Sequence, residues 1–264
     1  MIRNIFLDLD DTILDFHKAE HIAVQRALRE LDIEATPELL SRYSQLNDQQ
    51  WKLLELGKLT REEVKVRRYR LLFQELGLDA SWEMAARLYE GFLSQGHFFL
   101  DGAEELLRQL FPSYRLYLAS NGTASVQRGR LKSARIGNYF DQIFISEEIG
   151  YHKPNRDFFE YCFQQIPDFK SEESLIVGDS LTSDIKGGIN AGITTVWFCR
   201  DEEQARRSAE AYPQIRPDYV VHELREVCSL VQALTDRSAP PRTASAPPQA
   251  AAKTGCTIRQ KIVQ

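Results

Sequence analysis

Ile5-Phe6-Leu7-Asp8-Leu9-Asp10-Asp11-Thr12-Ile13-Leu14 opens the chain with an apolar run that ends in carboxylates. Ile5 to Leu7 show no polar alternation, the pattern of a strand buried on both faces of a parallel sheet. Asp8 and Asp10 follow where that strand must end, and open α/β sheets bind ligands beyond the carboxyl ends of their strands. In extended backbone the two side chains would share a face. Carboxylates held that close need a cation or a shared proton. Taken alone, the same acids also read as a helix N-cap with an acidic first turn.

From Asp101 onward the chain repeats the strand theme. The spacing predicts helices near Gly102 to Leu110, Thr123 to Ser133, Pro154 to Ile166 and Ser183 to Ala191. They alternate with strands at Leu116 to Ala119, Gln142 to Ser146, Leu175 to Val177 and Thr194 to Phe198. A short strand near Tyr219 to Val221 precedes a last helix ending near Leu234. Regular succession of strand and helix means an α/β fold, a doubly wound and mostly parallel sheet.

Between the first strand and this region, residues 18–97 carry helical periodicity, with Ile22, Val24, Ala27, Leu28 and Leu31 on one face. Thr36 before Pro37 reads as an N-cap with proline at the first helical position. Thr60 with Glu63 forms a capping box for a helix that runs through Leu76 and stops at Gly77. A further amphipathic stretch follows Ser81. The expectation is an α/β core built from residues 1–17 and 98–236, interrupted by a four-helix insertion that caps it. Residues 237–264, dominated by Ala, Pro, Ser, Thr and Gln, read as a disordered tail.

Composition sets outer bounds. The 264 residues are 43% hydrophobic and 27% charged, with a net charge of −5, which removes a global electrostatic case for nucleic-acid polymers. Cys162, Cys199, Cys228 and Cys256 are widely spaced and read as reduced thiols rather than a zinc or redox centre. No apolar stretch is long enough to span a bilayer and no secretory leader is visible, so the expectation is a cytoplasmic monomer without membrane contact.

Three more clusters fall just beyond predicted strands. Ser120-Asn121-Gly122 offers a hydroxyl, an amide and a permissive turn before a helix start, an anion cradle or an ordinary turn. Lys153, between His152 and Pro154, could neutralise a phosphate oxygen at the sheet edge; an exposed lysine is the plainer reading. Gly178-Asp179-Ser180-Leu181-Thr182-Ser183-Asp184 carries two acids that could cap a helix or join Asp8 and Asp10 around a hard cation. Their shared location at strand ends is what binds the clusters into one hypothesis.

That ordered set resembles the four motifs of the haloacid dehalogenase-like hydrolase superfamily, over residues 1 to about 235, with the helical insertion where the family's C1 cap lies. Ser146-Glu-Glu-Ile-Gly150, Lys153-Pro-Asn155 and Ser183-Asp-Ile-Lys-Gly-Gly-Ile-Asn-Ala-Gly192 further resemble its pyrimidine 5'-nucleotidase branch. The resemblance implies a Rossmann-like core and a two-step phosphoryl transfer. Asp8 would be the nucleophile, forming an aspartyl-phosphate, and Asp10 the general acid and base. Mg2+ would bind the carboxylates of Asp8 and Asp179 and the backbone carbonyl of Asp10. Ser120, Asn121 and Lys153 would hold phosphoryl oxygens, with Gly122 supporting the turn and Asp184 orienting ligand water or Lys153. Dehalogenases of the superfamily lack the second acid, so Asp10 favours a phosphatase. The implied partner is a small phosphate ester, first a pyrimidine nucleoside monophosphate, with phosphoglycolate or a sugar phosphate as the alternative. A catalytically silent binding module is the rival of another class.

Other features read more plainly. His17 and His21 have metal-pair spacing but no third ligand nearby. Arg61, Lys65, Arg67, Arg68 and Arg70 read as a solvated basic face paired with Glu62 and Glu63, or else as a nucleotide-attracting one. Phe16, Tyr43, Trp51 and Phe92 read as packing within the insertion, with base stacking the alternative. Gly187, Gly188 and Gly192 lack dinucleotide-binding spacing.

Overall fold

A computed structural model describes residues 1–237. The elements run β1 (Asn4–Leu7), α1 (Phe16–Arg29), α2 (Pro37–Glu55), α3 (Arg61–Leu76), α4 (Trp82–Leu93), α5 (Ala103–Leu110), β2 (Arg115–Ser120), α6 (Ala124–Ala134), β3 (Gln142–Ile145), α7 (Ser146–Ile149) and α8 (Arg156–Gln164). They continue with β4 (Ser174–Gly178), α9 (Lys186–Ala191), β5 (Thr194–Phe198), α10 (Glu202–Ala211), β6 (Tyr219–Val221) and α11 (Leu224–Arg237).

The six strands form one parallel sheet in the order β3-β2-β1-β4-β5-β6. Strand β1 sits at its centre, with Leu7 opposite Leu118 on one side and Val177 on the other. Successive residues of β1 face opposite ways, as the pleat requires. Ile5 and Leu7 pack with the apolar faces of α5 and α11, while Phe6 packs with Phe158, Phe159 and Cys162 of α8. This is why the opening run is continuous in sequence: both faces of the strand are core. The expected doubly wound, Rossmann-like α/β sheet is the observed one.

Helices α1 to α4 carry their own apolar cluster, in which Val24, Leu28, Tyr43, Tyr69, Phe73 and Tyr89 are buried. The capping chemistry read from sequence is present: Thr36 accepts from the Leu39 N–H, and Thr60 and Glu63 close a reciprocal capping box. Asp15 caps α1 by accepting from the Lys18 N–H, so neither Asp8 nor Asp10 is the N-cap.

Three readings need correction. Helix α10 is absent from the sequence expectation; its exposed residues give almost no apolar stripe, and only Ala205 is buried. The strand predicted to reach Ser146 stops at Ile145, because Ser146 begins the short helix α7. Arg68 does not join a solvated face: it is buried among Tyr43, Tyr69 and Tyr89 and donates from Nη1 to Asn47 Oδ1 at 2.7 Å. Cys162, Cys199 and Cys228 are free and buried, while Cys256 and residues 238–264 of the proposed tail lie outside the described residues. Among the described residues no helix is long and apolar enough to cross a membrane.

Phe6 stacks on Tyr117, with ring centroids 5.2 Å apart, and meets Phe163 edge-on at 5.9 Å. Truncating it removes the contact that joins β1, β2 and α8. Phe6→Ala should lower unfolding free energy by about 3–5 kcal/mol; urea denaturation followed by circular dichroism checks this, and a change below about 1 kcal/mol contradicts the packing.

Candidate active site

Strand order reverses at β1, whose sequence neighbour β2 lies on one side and β4 on the other. The crevice this opens at the carboxyl ends of the strands is where ligands bind in such sheets. Asp8 leaves the end of β1, Ser120 ends β2, and Asp179 follows the last residue of β4. The parallel register therefore delivers three distant segments to one place. A cavity of about 220 Å3 lies there, with Asp8, Asp10, Lys153, Asp179 and Asp184 at its base and Asn47, Trp51, Tyr89 and Glu90 of the inserted helices facing them.

Lys153 is buried rather than exposed. Its three ammonium protons serve Asp8 Oδ1 at 2.6 Å, Asp184 Oδ1 at 2.5 Å and the Ala119 carbonyl at 2.5 Å. Burial disfavours the ammonium, but Asp184 and Asp8 outweigh it and hold the Lys153 pKa above its ordinary value. The side chain of Asn121 fixes the lysine's backbone from both ends, accepting from the Lys153 N–H at 2.9 Å and donating to its carbonyl at 2.9 Å. Asn121 thus locks the loop that carries the cation.

Asp184 approaches because β4 ends in glycine. A Cβ on Gly178 would lie 2.3 Å from Asp184 Cγ, inside contact distance. Asp184 spends its second oxygen on the Ser180 N–H at 3.1 Å, so its carboxylate is committed to lysine and loop. Asp179 differs. Its backbone carbonyl is held by Trp197 Nε1 at 2.7 Å, while among the described residues neither carboxylate oxygen accepts a hydrogen bond.

Oxygens of Asp8, Asp179 and Asp184 lie within 4.8 Å of one another. Three acids against one lysine leave the cluster short of positive charge. Burial pushes the Asp8 carboxyl up to about 8, with Asp184 and Asp10 adding to the rise and Lys153 opposing it. Burial, then Asp184 and Asp8, likewise lift Asp179 well above the usual carboxylate range. A hard-oxygen donor set with uncompensated charge fits a divalent cation. Asp8 and Asp179, with oxygens free of Lys153, are the carboxylates available to it.

Asp10 is more open. Its Oδ1 receives a hydrogen bond from Arg130 Nη1, and its Oδ2 one from Gln127 Nε2 at 2.7 Å. Ser120 Oγ accepts from Gly122 N–H at 3.1 Å and Gln127 Nε2 at 2.8 Å, which leaves the hydroxyl proton free to be donated. The sequence expectation named Asp8, Asp10, Ser120, Asn121, Gly122, Lys153, Asp179 and Asp184, and all converge on this end of the sheet. It missed Gln127 and Arg130. Their one available signal was helical spacing, three residues apart on the helix that follows Ser120-Asn121-Gly122, which puts them on a common face.

The inserted helices contact the sheet end directly. Arg61 donates to the Asn121 carbonyl and to Ser146 Oγ, each at 2.6 Å, and Lys65 pairs with Glu147 at 2.9 Å. Glu55 Oε2 accepts from Thr182 Oγ1 at 3.2 Å on the other side. The basic residues of α3 therefore split three ways: Arg61 and Lys65 reach the core, with Lys65 also pairing with Glu62 at 3.0 Å, Arg68 is buried, and Arg70 is exposed as the solvated reading expected. Trp51 and Phe16 line the cavity, Tyr43 is buried in the helical cluster, and Phe92 lies under Arg26. His17 faces Asp11 at 3.4 Å.

A family model described as haloacid dehalogenase-like hydrolase matches residues 5–198. The chain belongs to this family. The HAD-hydrolase YfnB of Bacillus subtilis is 37% identical over 225 residues, covering 85% of this chain and 93% of that one. The pyrimidine 5'-nucleotidase PynA of Streptococcus pneumoniae is 37% identical over 84% of this chain and 92% of its own. The crystal structure of YfnB bound to magnesium superimposes with a TM-score of 0.81 at 36% identity, over 87% of this chain and 98% of that chain. L-2-haloacid dehalogenase from Xanthobacter autotrophicus shares the fold, with a TM-score of 0.69 at 18% identity over 88% of this chain and 99% of its own.

Removing the buried ammonium tests the charge balance. Lys153→Met leaves Asp184, which is 1% exposed, beside Asp8 without a cation. Unfolding free energy of the metal-free protein should drop by about 3–5 kcal/mol; a urea midpoint equal to wild type contradicts the ion-pair geometry.

Proposed function

We propose that this hydrolase is a Mg2+-dependent phosphomonoesterase acting on small phosphate esters, first among them pyrimidine nucleoside 5'-monophosphates. The observation that carries the reading is the pair of unlike carboxylates beyond β1. Asp8 is 7% exposed and held by Lys153, and Asp10 sits at 29% side-chain exposure facing the same cavity. A buried nucleophile beside a more open acid-base group is the division of labour that phosphoryl transfer through an enzyme ester needs.

In the first half-reaction a carboxylate oxygen of Asp8 bonds to phosphorus, the bond to the leaving oxygen breaks, and that oxygen takes a proton from Asp10. In the second, a water oxygen bonds to phosphorus, the aspartyl ester bond breaks, and the water proton returns to Asp10. Ser120 donates a hydrogen bond toward the phosphoryl group, and the Lys153 ammonium, its own protons held by Asp8, Asp184 and the Ala119 carbonyl, supplies positive charge beside it as charge spreads over its oxygens. Asn121 keeps Lys153 in place. Asp8, Asp179 and the Asp10 carbonyl would hold Mg2+, which supplies the positive charge this cluster lacks and offsets repulsion between carboxylate and phosphate.

Helices α1 to α4, spanning the region 18–97 between the two parts of the core, act in this reading as a lid. Arg61, Lys65 and Glu55 fasten it over the cavity, and closure excludes bulk water. The magnesium-bound YfnB structure is described as revealing interdomain movement, which supports a mobile lid. PynA at 37% identity and YjjG of Escherichia coli at 29%, both named pyrimidine 5'-nucleotidases, support the substrate class. A relative from Methanopyrus kandleri named glyceraldehyde 3-phosphate phosphatase, at 28% identity, supports a small sugar phosphate as the second reading.

Phosphate release with Mg2+ from UMP, dUMP, dTMP, phosphoglycolate and hexose phosphates tests both. Turnover of the pyrimidine nucleotides is expected to be fastest, and Asp8→Asn should lower it at least about 10^3-fold. Release confined to hexose phosphates contradicts the nucleotidase reading. Release from no ester above the Asp8→Asn level favours a silent binding module.

A further inference from the structure

We propose that Gln127 and Arg130 of α6 are positioning residues for Asp10, each fixing one oxygen of its carboxyl group so that the proton it exchanges is aligned with the phosphorus-bound oxygen. The inference rests on the acid-base role of Asp10 given above. Neither residue belongs to the four motifs that carry the family resemblance.

Arg130 is buried completely, an expensive place for a guanidinium unless it is paired. Its ion-pair partner is Asp10 Oδ1, contacted through Nη1. The opposite edge of the guanidinium is anchored by Nε, which donates to the Gly96 carbonyl at 3.1 Å. A planar fork held at two edges cannot rotate, and that rigidity passes to the carboxyl plane. Gln127 is equally enclosed, at 1% exposure. Its Nε2 donates to Asp10 Oδ2 at 2.7 Å and to Ser120 Oγ at 2.8 Å, while its Oε1 accepts from Arg130 Nη1 at 3.3 Å. The amide orientation follows from charge: its N–H side meets the carboxylate and its oxygen meets the guanidinium.

The loop is shaped to admit this amide. A Cβ on Gly122 would lie 2.3 Å from Gln127 Nε2, so any larger residue at position 122 would displace Gln127. Gly122 therefore serves Gln127 as well as the turn. Asp10 is 29% exposed on its side chain, where an unheld carboxyl would sample several rotamers. Two bonds to separate oxygens remove that freedom, and each oxygen keeps a second lone pair toward the cavity. Through Gln127 the same network also sets Ser120, so the group that moves the proton and a group that binds the phosphoryl oxygens keep a fixed spacing.

The two half-reactions differ in their need for Asp10. An alkyl leaving oxygen must be protonated as its bond to phosphorus breaks, whereas 4-nitrophenolate leaves as the anion and needs no proton. Hydrolysis of the aspartyl ester needs Asp10 in every case, to take the proton from water. Misalignment of Asp10 must therefore spare the first aryl turnover and slow everything else.

The test is rapid-mixing kinetics of wild type, Gln127→Met and Arg130→Lys with Mg2+, using 4-nitrophenyl phosphate and the alkyl phosphate turned over fastest in the panel above. Gln127→Met should release the first equivalent of 4-nitrophenolate within about threefold of the wild-type rate while its steady-state rate falls about 10- to 100-fold. On the alkyl ester kcat should fall by a similar factor, with KM within about twofold. Arg130→Lys, which keeps the charge and loses the fork, should show the same pattern; if it does not fold, Gln127→Met decides alone. A first aryl turnover slowed as much as the steady state, or a loss carried by KM, overturns the positioning role while leaving the phosphatase reading intact. A wild-type protein that releases phosphate from neither ester overturns the phosphatase reading, and this inference with it.

Discussion

The buried ammonium of Lys153 is the constraint on which the site depends. Asp8 and Asp184 sit where water cannot solvate them, and a shared cation 2.6 and 2.5 Å away is what allows both to stay there. Each of its protons has an acceptor, so the lysine has one orientation. Everything around it reinforces that position: Asn121 grips its backbone, Gly178 clears space for Asp184, and the Ser180 N–H ties the other Asp184 oxygen. One positive charge does not balance three neighbouring acids. The remaining deficit falls on Asp8 and Asp179, and it makes this end of the sheet a place where a divalent cation and an anionic ester can enter together.

Two other structural choices follow from placing a charged cluster at the switch point of the sheet. Apolar residues on both faces of β1 anchor the strand that leads into Asp8, so the nucleophile candidate is set by a strand buried along its whole length. The inserted helices leave the chain directly after this strand and return at Phe99, which bridges to Leu14. The insertion and the segment that follows β1 meet at this bridge, and Arg130 contacts the first through Gly96 and the second through Asp10. The inserted helices and Asp10 are therefore mechanically adjacent.

The sheet and the charged residues were legible in the sequence for a common reason. A parallel strand buried on both faces leaves a continuous apolar run, and polar residues just past such runs mark the one edge where strands deliver side chains together. Lys153 was legible as a position but not as a buried one, because burial came from Asp184 and Ala119, which no local pattern ties to residue 153. Gln127 and Arg130 were invisible as functional residues: on a helix with little amphipathic contrast, glutamine and arginine read as surface. Arg68 and Arg61 were misassigned to a solvated face because helical charge patterns do not reveal tyrosine cages or a facing loop. Helix α10 escaped because only Ala205 is buried, so there was no stripe to count.

The central claim is that Asp8 becomes the covalent carrier of the phosphoryl group. Quenching the protein during turnover and reducing it with borohydride converts an acyl phosphate to the alcohol, so peptide mass spectrometry should find homoserine at position 8 and unchanged aspartate at positions 10, 179 and 184. Reduction at none of these residues during sustained phosphate release, or at another of them in place of Asp8, would contradict the account.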